Sequence, residues 1–109
     1  MTRTFTAEIV TFRAAPGISA EEMRTRAADI AGWLERQPGF IARTLSHADD
    51  GIWTDHVLWQ SLADAKAAGE KIMAEPCAQA LMAAIDMQSV RMSHAPVAVH
   101  QMAGAPVAA

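Results

Sequence analysis

Hydrophobic and polar residues recur along this chain with periods that predict four strands and two helical regions. Segments rich in β-branched and aromatic residues are typical of strands, and there are four of them: residues 4–13, 40–47, 52–60 and 89–94. Apolar residues at helical spacing fill residues 19–37 and, with an interruption at Pro76, residues 61–86. The resulting order, β-α-β-β-α-β, predicts an α+β, ferredoxin-like fold with a four-stranded antiparallel sheet.

Both helical regions begin with a capping signal. Ser19 precedes Glu22 by three residues, and Ser61 precedes Asp64 by the same interval, so each serine hydroxyl can accept the backbone N–H of the acidic residue. We expect the following residues to face the sheet: Met23, Ala27, Ile30 and Leu34 in the first helix, with Trp33 at the edge of that stripe; Leu62, Ala65, Gly69, Ile72 and Met73 in the second; and Cys77, Leu81 and Ile85 after Pro76.

The third strand is apolar on both of its faces. Its alternation places Trp53, Asp55, Val57 and Trp59 on one face, whereas Thr54, His56 and Leu58 lie on the other. Crossovers of one hand bring both helices onto a single face of the sheet. Because the second face also carries apolar residues, we expect another copy of the chain to cover it, and we predict a homodimer.

Composition limits the classes of protein that this chain can form. At 109 residues it is long enough for a single domain, predicted over residues 1–101 and followed by a frayed tail over 102–109. A hydrophobic fraction of 51% excludes a disordered chain, and no apolar run is long enough for a membrane helix. The net charge of −3 gives no general attraction to nucleic acid or to anionic lipid. The N-terminal sequence lacks the pattern of a secretion signal, so we expect a cytoplasmic protein.

Motifs for metals, nucleotides and covalent catalysis are missing from the sequence. The four histidines do not cluster at ligand spacing, and the six glycines form no phosphate-binding loop, so we expect neither a metal nor an organic cofactor. Cys77, in the first turn after Pro76, is a candidate nucleophile because a helix N-terminus activates a thiol. Its position on an apolar stripe favours the other interpretation, a buried structural thiol.

The strongest candidate site is the face of the third strand that carries two tryptophans and a carboxylate. With Trp33 from the first helix, Trp53, Val57 and Trp59 could wall an aromatic pocket in which Asp55 orients a ligand or takes a proton. The alternative is that both strand tryptophans fill the core and Asp55 satisfies a backbone or indole donor.

One segment carries a resemblance to a known family. The pattern Asp55-x-x-x-Trp59-x-Ser61-x-x-x-Ala65, which follows Pro38-Gly39-Phe40 and precedes Glu75-Pro76, resembles the antibiotic biosynthesis monooxygenase superfamily of dimeric α+β barrels. The resemblance spans roughly residues 5–99. It implies a dimer whose sheets close into a barrel, with a ligand cleft in each subunit between sheet and helices. Some members oxidise anthrone- or quinol-like aromatics with dioxygen and no cofactor, and others degrade heme.

Carried over by position, the resemblance assigns two catalytic candidates. Trp59 matches the tryptophan at the end of the third strand, and Asp55 takes the place of an asparagine that acts with it. An aspartate there would weaken the stabilisation of an enolate-like intermediate, although it could still remove a proton. The heme-degrading members have an asparagine and a histidine where this chain has Ile9 or Val10 and Leu81, so heme degradation is disfavoured.

Two hypotheses follow from these residues. The first is a cofactor-independent monooxygenase for a small phenolic, quinol or anthrone-like aromatic, with Asp55 and Trp59 catalytic and with Trp33, Trp53 and Val57 in contact with the ligand. The second is a non-catalytic dimeric barrel that binds a small apolar molecule.

Overall fold

Local sequence signals and the observed elements agree along most of the chain. The computed structural model describes residues 4–104, so the first three residues and the end of the predicted tail lie outside it. The elements follow in this order: β1 Thr6–Ala14, α1 Ala20–Ala28, α2 Ala31–Glu35, β2 Phe40–His47, β3 Trp53–Trp59, α3 Leu62–Ile72, a 3₁₀ turn Pro76–Ala78, α4 Gln79–Ala84 and β4 Ile85–Pro96. The predicted ferredoxin-like α+β fold is confirmed.

The four strands form one antiparallel sheet in the order β2-β3-β1-β4. Direct partners across the β1–β3 pair include Glu8 with Val57 and Phe12 with Trp53. Across the β1–β4 pair, Glu8 lies opposite His94, and the register shifts once, between Thr11 and Arg13. Since directly opposed residues share a face, one side of the sheet carries the even-numbered residues of β1 and the tryptophans of β3.

A tight connection sets the register between β2 and β3. The backbone N–H of Ala48 donates to the Ile52 carbonyl at 2.9 Å, and the N–H of Gly51 donates back to the Ala48 carbonyl. Gly51 has a φ of +91°, a conformation that glycine adopts without steric cost. Closure at this point places His47 opposite Trp53, Leu45 opposite Asp55 and Arg43 opposite Val57.

The first helical region is two helices rather than the single one predicted over residues 19–37. The Ser19 cap is confirmed, because its hydroxyl accepts the N–H of Glu22 at 3.1 Å. The chain then turns at Asp29 and Ile30 before α2 begins. The predicted apolar stripe is nevertheless fully buried, and Trp33 is buried with it.

The second helical region keeps its predicted cap and part of its predicted inward face, since Ala65 is buried and Gly69 and Ile72 are partly buried. The Ser61 hydroxyl accepts the N–H of Asp64 at 3.1 Å. Small residues make the closest packing of α3, whereas Leu62 and Met73 are exposed, contrary to expectation. Cys77 is exposed as well, and the buried positions after it are Ala78, Leu81 and Ala84. A 3₁₀ turn at Pro76 changes the helical phase by its three-residue repeat, which moves Cys77 outward.

The hydrophobic core lies between the helices and the tryptophan-bearing face of the sheet. Trp59 and Met23 are its largest fully buried side chains. The opposite face bears mostly small or hydroxyl-bearing residues on β2, among them the exposed Thr44 and Ser46. Within residues 4–104, no helix has the length and apolar character needed to cross a membrane.

Candidate functional site

A cavity of about 200 Å³ opens between the helices and the sheet. Its walls are mostly apolar, with Leu34 from α2, Ile72 from α3 and Leu81 from α4 among them. Three of its lining residues are charged: Glu8 on β1, Arg43 on β2 and Asp55 on β3. An enclosed apolar space with a few polar groups on one wall is the usual form of a small-molecule site.

Four of the five residues predicted for the site line this cavity. Trp33, Asp55, Val57 and Trp59 are brought together there. Trp53 shares their sheet face but is not among the described residues that line the cavity. Its ring lies at the hairpin end of β3, stacked on the His47 ring at a centroid distance of 3.9 Å and on the Phe12 ring at 6.5 Å. Its surroundings are those of a core residue.

Asp55 is bound in an ion pair with Arg43. The Arg43 Nε donates to Oδ1 at 2.9 Å and to Oδ2 at 3.2 Å, and its Nη2 donates to Oδ2 at 2.8 Å. The two side chains are only 12% and 15% exposed, so the pair is shielded from water. Both carboxylate oxygens of Asp55 are therefore engaged by a cation in the two-point geometry that arginine favours.

Arg43 also connects Asp55, on the floor of the cavity, to the end of α1. Its Nη1 donates to the Ala27 carbonyl at 2.8 Å, and that carbonyl belongs to the last turn of the helix, where it lacks an intrahelical partner. A cation at a helix C-terminus is also favoured by the helix dipole. Sequence reasoning missed Arg43. The hairpin register could have revealed it, because residue 43 lies two positions beyond the partner of Asp55 on the same face.

Glu8 and His94 form a hydrogen-bonded pair at the cavity. The His94 Nε2 lies 2.7 Å from the Glu8 Oε2, and the histidine and glutamate side chains are 21% and 12% exposed. Neither residue was among the sequence-based candidates. A signal was present in β1, where Glu8 alternates with Val10 and Phe12 and so places a carboxylate on the apolar face.

The indole N–H of Trp59 is a buried donor. The Trp59 side chain is 1% exposed, and Phe40 packs edge-on against it at a centroid distance of 5.8 Å. Among the described residues, no acceptor lies within hydrogen-bonding distance of its Nε1. A buried donor without a partner costs free energy, and the residue that carries this one lines the cavity.

Cys77 lies outside the cavity, and its environment does not activate it. Loss of water on its protein-facing side raises the pKa of the Cys77 thiol, and the hydrogen bond and negative charge of Glu75 raise this pKa further. A thiol of this kind is a weak nucleophile at neutral pH. Within residues 4–104, no three histidine, cysteine or acidic side chains are grouped as metal ligands.

Several solved structures superpose on this chain over most of its length. A protein of unknown function from Nitrosomonas europaea superposes with a TM-score of 0.70 at 16% identity, over 96% of this chain and 100% of its own. A Bordetella bronchiseptica protein provisionally named an antibiotic biosynthesis monooxygenase superposes with a TM-score of 0.68 at 13% identity, over 84% of this chain and 95% of its own. SnoaB from Streptomyces nogalater, described as a cofactor-independent oxygenase, superposes with a TM-score of 0.60 at 19% identity, over 94% of this chain and 99% of its own. The chain has the antibiotic biosynthesis monooxygenase fold.

The resemblance predicted from residues 5–99 is thus confirmed at the level of the fold. Identities of 13–19% carry the fold alone. By sequence, no family model matches the chain, and neither does any curated protein. The chemistry of the site must therefore be argued from its own residues.

Proposed function

We propose that this protein is a cofactor-independent monooxygenase that acts on a small phenolic, quinol or anthrone-like aromatic. The observation that carries the proposal is the buried indole N–H of Trp59, which has no acceptor among the described residues and belongs to a tryptophan that lines an apolar cavity. An aromatic substrate with a carbonyl or phenolic oxygen supplies both the acceptor for this donor and the flat apolar surface for the walls. SnoaB, which shares the fold, is described as a cofactor-independent oxygenase.

Trp59 and the Arg43–Asp55 pair form the polar end of the proposed site. The Trp59 N–H donates to the substrate oxygen and stabilises the negative charge that develops there when the substrate loses a proton. A bare carboxylate at position 55 would oppose that charge. Because Arg43 binds both of its oxygens, the pair is neutral overall, and Asp55 serves to hold the guanidinium and orient the ligand.

The overall reaction needs only dioxygen as a second substrate. For an anthrone, the methylene carbon loses a proton, and the resulting carbanion passes one electron to dioxygen. The two radicals combine to a peroxide, which loses water and leaves a carbonyl group. The methylene carbon is oxidised by four electrons and dioxygen accepts those four, so that one oxygen atom enters the product and the other leaves as water.

Oxygen uptake with a panel of anthrones and hydroquinones tests the proposal. We expect the wild type to consume oxygen, and we expect Trp59→Phe and Asp55→Ala each to lower the rate at least about tenfold. Trp53→Phe is the matched control, since it removes an equally buried tryptophan from outside the cavity lining. Uptake that is absent, or unchanged in both site variants, contradicts the proposal. Quenching of tryptophan fluorescence without uptake would favour the non-catalytic ligand-binding barrel.

We also propose that the chain is a homodimer, joined through the sheet face that turns away from the helices. Ile9 and Leu58 supply apolar side chains to that face, and an antiparallel sheet with one face on its helices can pack its other face on a second sheet. Light scattering at micromolar concentration tests this. A monomeric mass would exclude the dimer.

A further inference from the structure

We propose that Glu8, supported by His94, is the group that removes the proton from the substrate in this cavity. The inference rests on the proposed oxygenase function, because it names the base for the first step of that reaction. It differs from the sequence-based assignment, in which Asp55 was the candidate for proton transfer. The reason lies in how the two carboxylates are bound.

The two carboxylates on the cavity wall differ in how much acceptor capacity they retain. Three N–H···O contacts from Arg43 occupy both oxygens of Asp55, and a proton arriving there would displace a guanidinium. Glu8 is bound only through Oε2, by His94 at 2.7 Å. Its Oε1 has no hydrogen-bond partner among the described residues, and the side chain lines the cavity. Glu8 therefore has a free oxygen that a substrate C–H or O–H can approach.

The partner of Glu8 suits proton transfer better than an arginine does. His94 lies on β4, an edge strand, and its side chain is 21% exposed. It therefore contacts both the Glu8 carboxylate and the solvent. An imidazole can exchange its proton near neutral pH, whereas a guanidinium holds its protons throughout the physiological range. The arrangement of a carboxylate base held by a second group is the usual geometry of an acid–base pair.

The proton balance of the proposed step is closed within the site. The substrate C–H bond breaks, its electron pair stays on the substrate as the enolate, and the proton binds to Glu8 Oε1. After dioxygen has added to the carbon, Glu8 returns this proton to the peroxide oxygen. Loss of water from the hydroperoxide then leaves the ketone, and Glu8 is again a carboxylate.

Few charged groups face Glu8. Along the cavity lining, the charged residues are Glu8, Arg43 and Asp55, with His94 against Glu8 from β4. Directly opposite Glu8 on β3 is the uncharged Val57, and the lining residues from α3 and α4 are uncharged. Because Arg43 and Asp55 are paired with each other, His94 is the titratable group that contacts Glu8 directly.

Two measurements with 1,8-dihydroxyanthrone as the probe test the inference. In oxygen-uptake assays, we expect Glu8→Gln to lower kcat by about 100-fold or more, with little change in KM, because the amide keeps a contact with His94 but cannot take a proton. Glu8→Asp retains a carboxylate, one methylene further from the cavity, and should recover part of the rate. Glu21→Gln, on the exposed surface of α1, is the control for the loss of one negative charge.

The second measurement separates the base from the oxygenation. Without oxygen, wild-type protein should convert the bound probe to its enolate, which absorbs at longer wavelength. We expect Glu8→Gln to lose this band and the exposed-surface control Glu21→Gln to retain it. If the wild type forms the enolate but consumes no oxygen, the oxygenase function fails and the role of Glu8 stands. An enolate band that persists in Glu8→Gln, or that the wild type never forms, overturns the inference.

The role of His94 is that of a positioning residue, which the split between kcat and KM and a rescue variant can distinguish from a structural one. In His94→Leu, Glu8 loses the hydrogen bond that holds its Oε2, so we expect kcat to fall with little change in KM. His94→Gln keeps an amide N–H that can donate to Oε2 and should recover part of the rate. Equal kcat values in the two variants, or a rise in KM alone, would contradict this role. Circular dichroism and melting temperature confirm that each variant is folded.

Discussion

The Arg43–Asp55 pair allows a quantitative test of how the cavity floor is held together. Replacing Arg43 with Met leaves the Asp55 carboxylate, only 15% exposed, without its three charged hydrogen bonds. Removing one partner of a buried pair costs about 3–5 kcal/mol, and the small residual exposure here favours the lower end of that range. We expect Arg43→Met to lower the free energy of unfolding by about 3 kcal/mol.

The reverse substitution should cost about as much. In Asp55→Leu the guanidinium keeps one bond, to the Ala27 carbonyl, but loses its counterion in a space that is shielded from water. The double variant Arg43→Met/Asp55→Leu carries no buried charge and fills the same space with apolar groups. Its main loss is the hydrogen bond to Ala27, worth about 1 kcal/mol. The losses of unfolding free energy in the two single variants therefore add up to several kcal/mol more than the loss in the double variant.

Equilibrium unfolding in urea, followed by circular dichroism at a fixed protein concentration, measures all four proteins of this cycle. The fixed concentration matters because a dimer gains apparent stability by mass action. A coupling free energy below about 1 kcal/mol is what exposed ion pairs give. That outcome would refute the argument that Arg43 and Asp55 form a shielded pair.

Three further predictions concern the rest of the chain. Gly39→Ala should destabilise the protein by about 1–3 kcal/mol in the same assay, because residue 39 has a φ of +82° and a Cβ there would collide with the Asp64 side chain; unchanged stability would mean that this turn relaxes freely. Ser61→Ala should cost about 1 kcal/mol through loss of the α3 cap, and a glycine at the same position should cost less. Cys77 should react with iodoacetamide more slowly than free cysteine at pH 8, because a raised pKa leaves less thiolate, and Glu75→Gln should speed the reaction. Labelling as fast as that of free cysteine would contradict the stated environment.

The sequence predicted β1, β2 and β3 well because their signals are local, whereas β4 spans Ile85–Pro96 and begins within the predicted second helical region. The turn residues around Gly51 and the alternation of β3 are each contained in a few consecutive positions. β2 occupies the predicted residues 40–47 without change. The alternation of β3 also placed Trp59, Val57 and Asp55 together on one face, which the cavity lining shares.

The predictions for the helices were wrong where the local sequence pattern does not determine how the helix packs. The apolar stripe through Ala27, Ile30 and Leu34 has the same spacing whether the helix is continuous or broken, so the break between α1 and α2 left no mark in the pattern. After Pro76, the prediction assumed α-helical spacing, but the chain forms a 3₁₀ turn there, and Cys77 faces solvent as a result.

Contacts between strands that are distant in sequence determined the rest of the site. Arg43 meets Asp55 through the register of a hairpin. His94 meets Glu8, a residue 86 positions away in the chain, across the pairing of β1 with β4. A charged side chain on an apolar face indicates that a partner exists. Which residue is that partner follows only from the strand order and the register.

All three tryptophans of the chain lie on the helix side of the sheet. Trp33 and Trp59 line the cavity, and Trp53 packs beside it against Phe12. Intrinsic fluorescence is therefore an optical probe of one half of the molecule. A ligand entering the cavity should change the emission strongly, whereas association through the opposite face of the sheet should leave it nearly unchanged. The same spectrum can thus distinguish ligand binding from self-association without any added label.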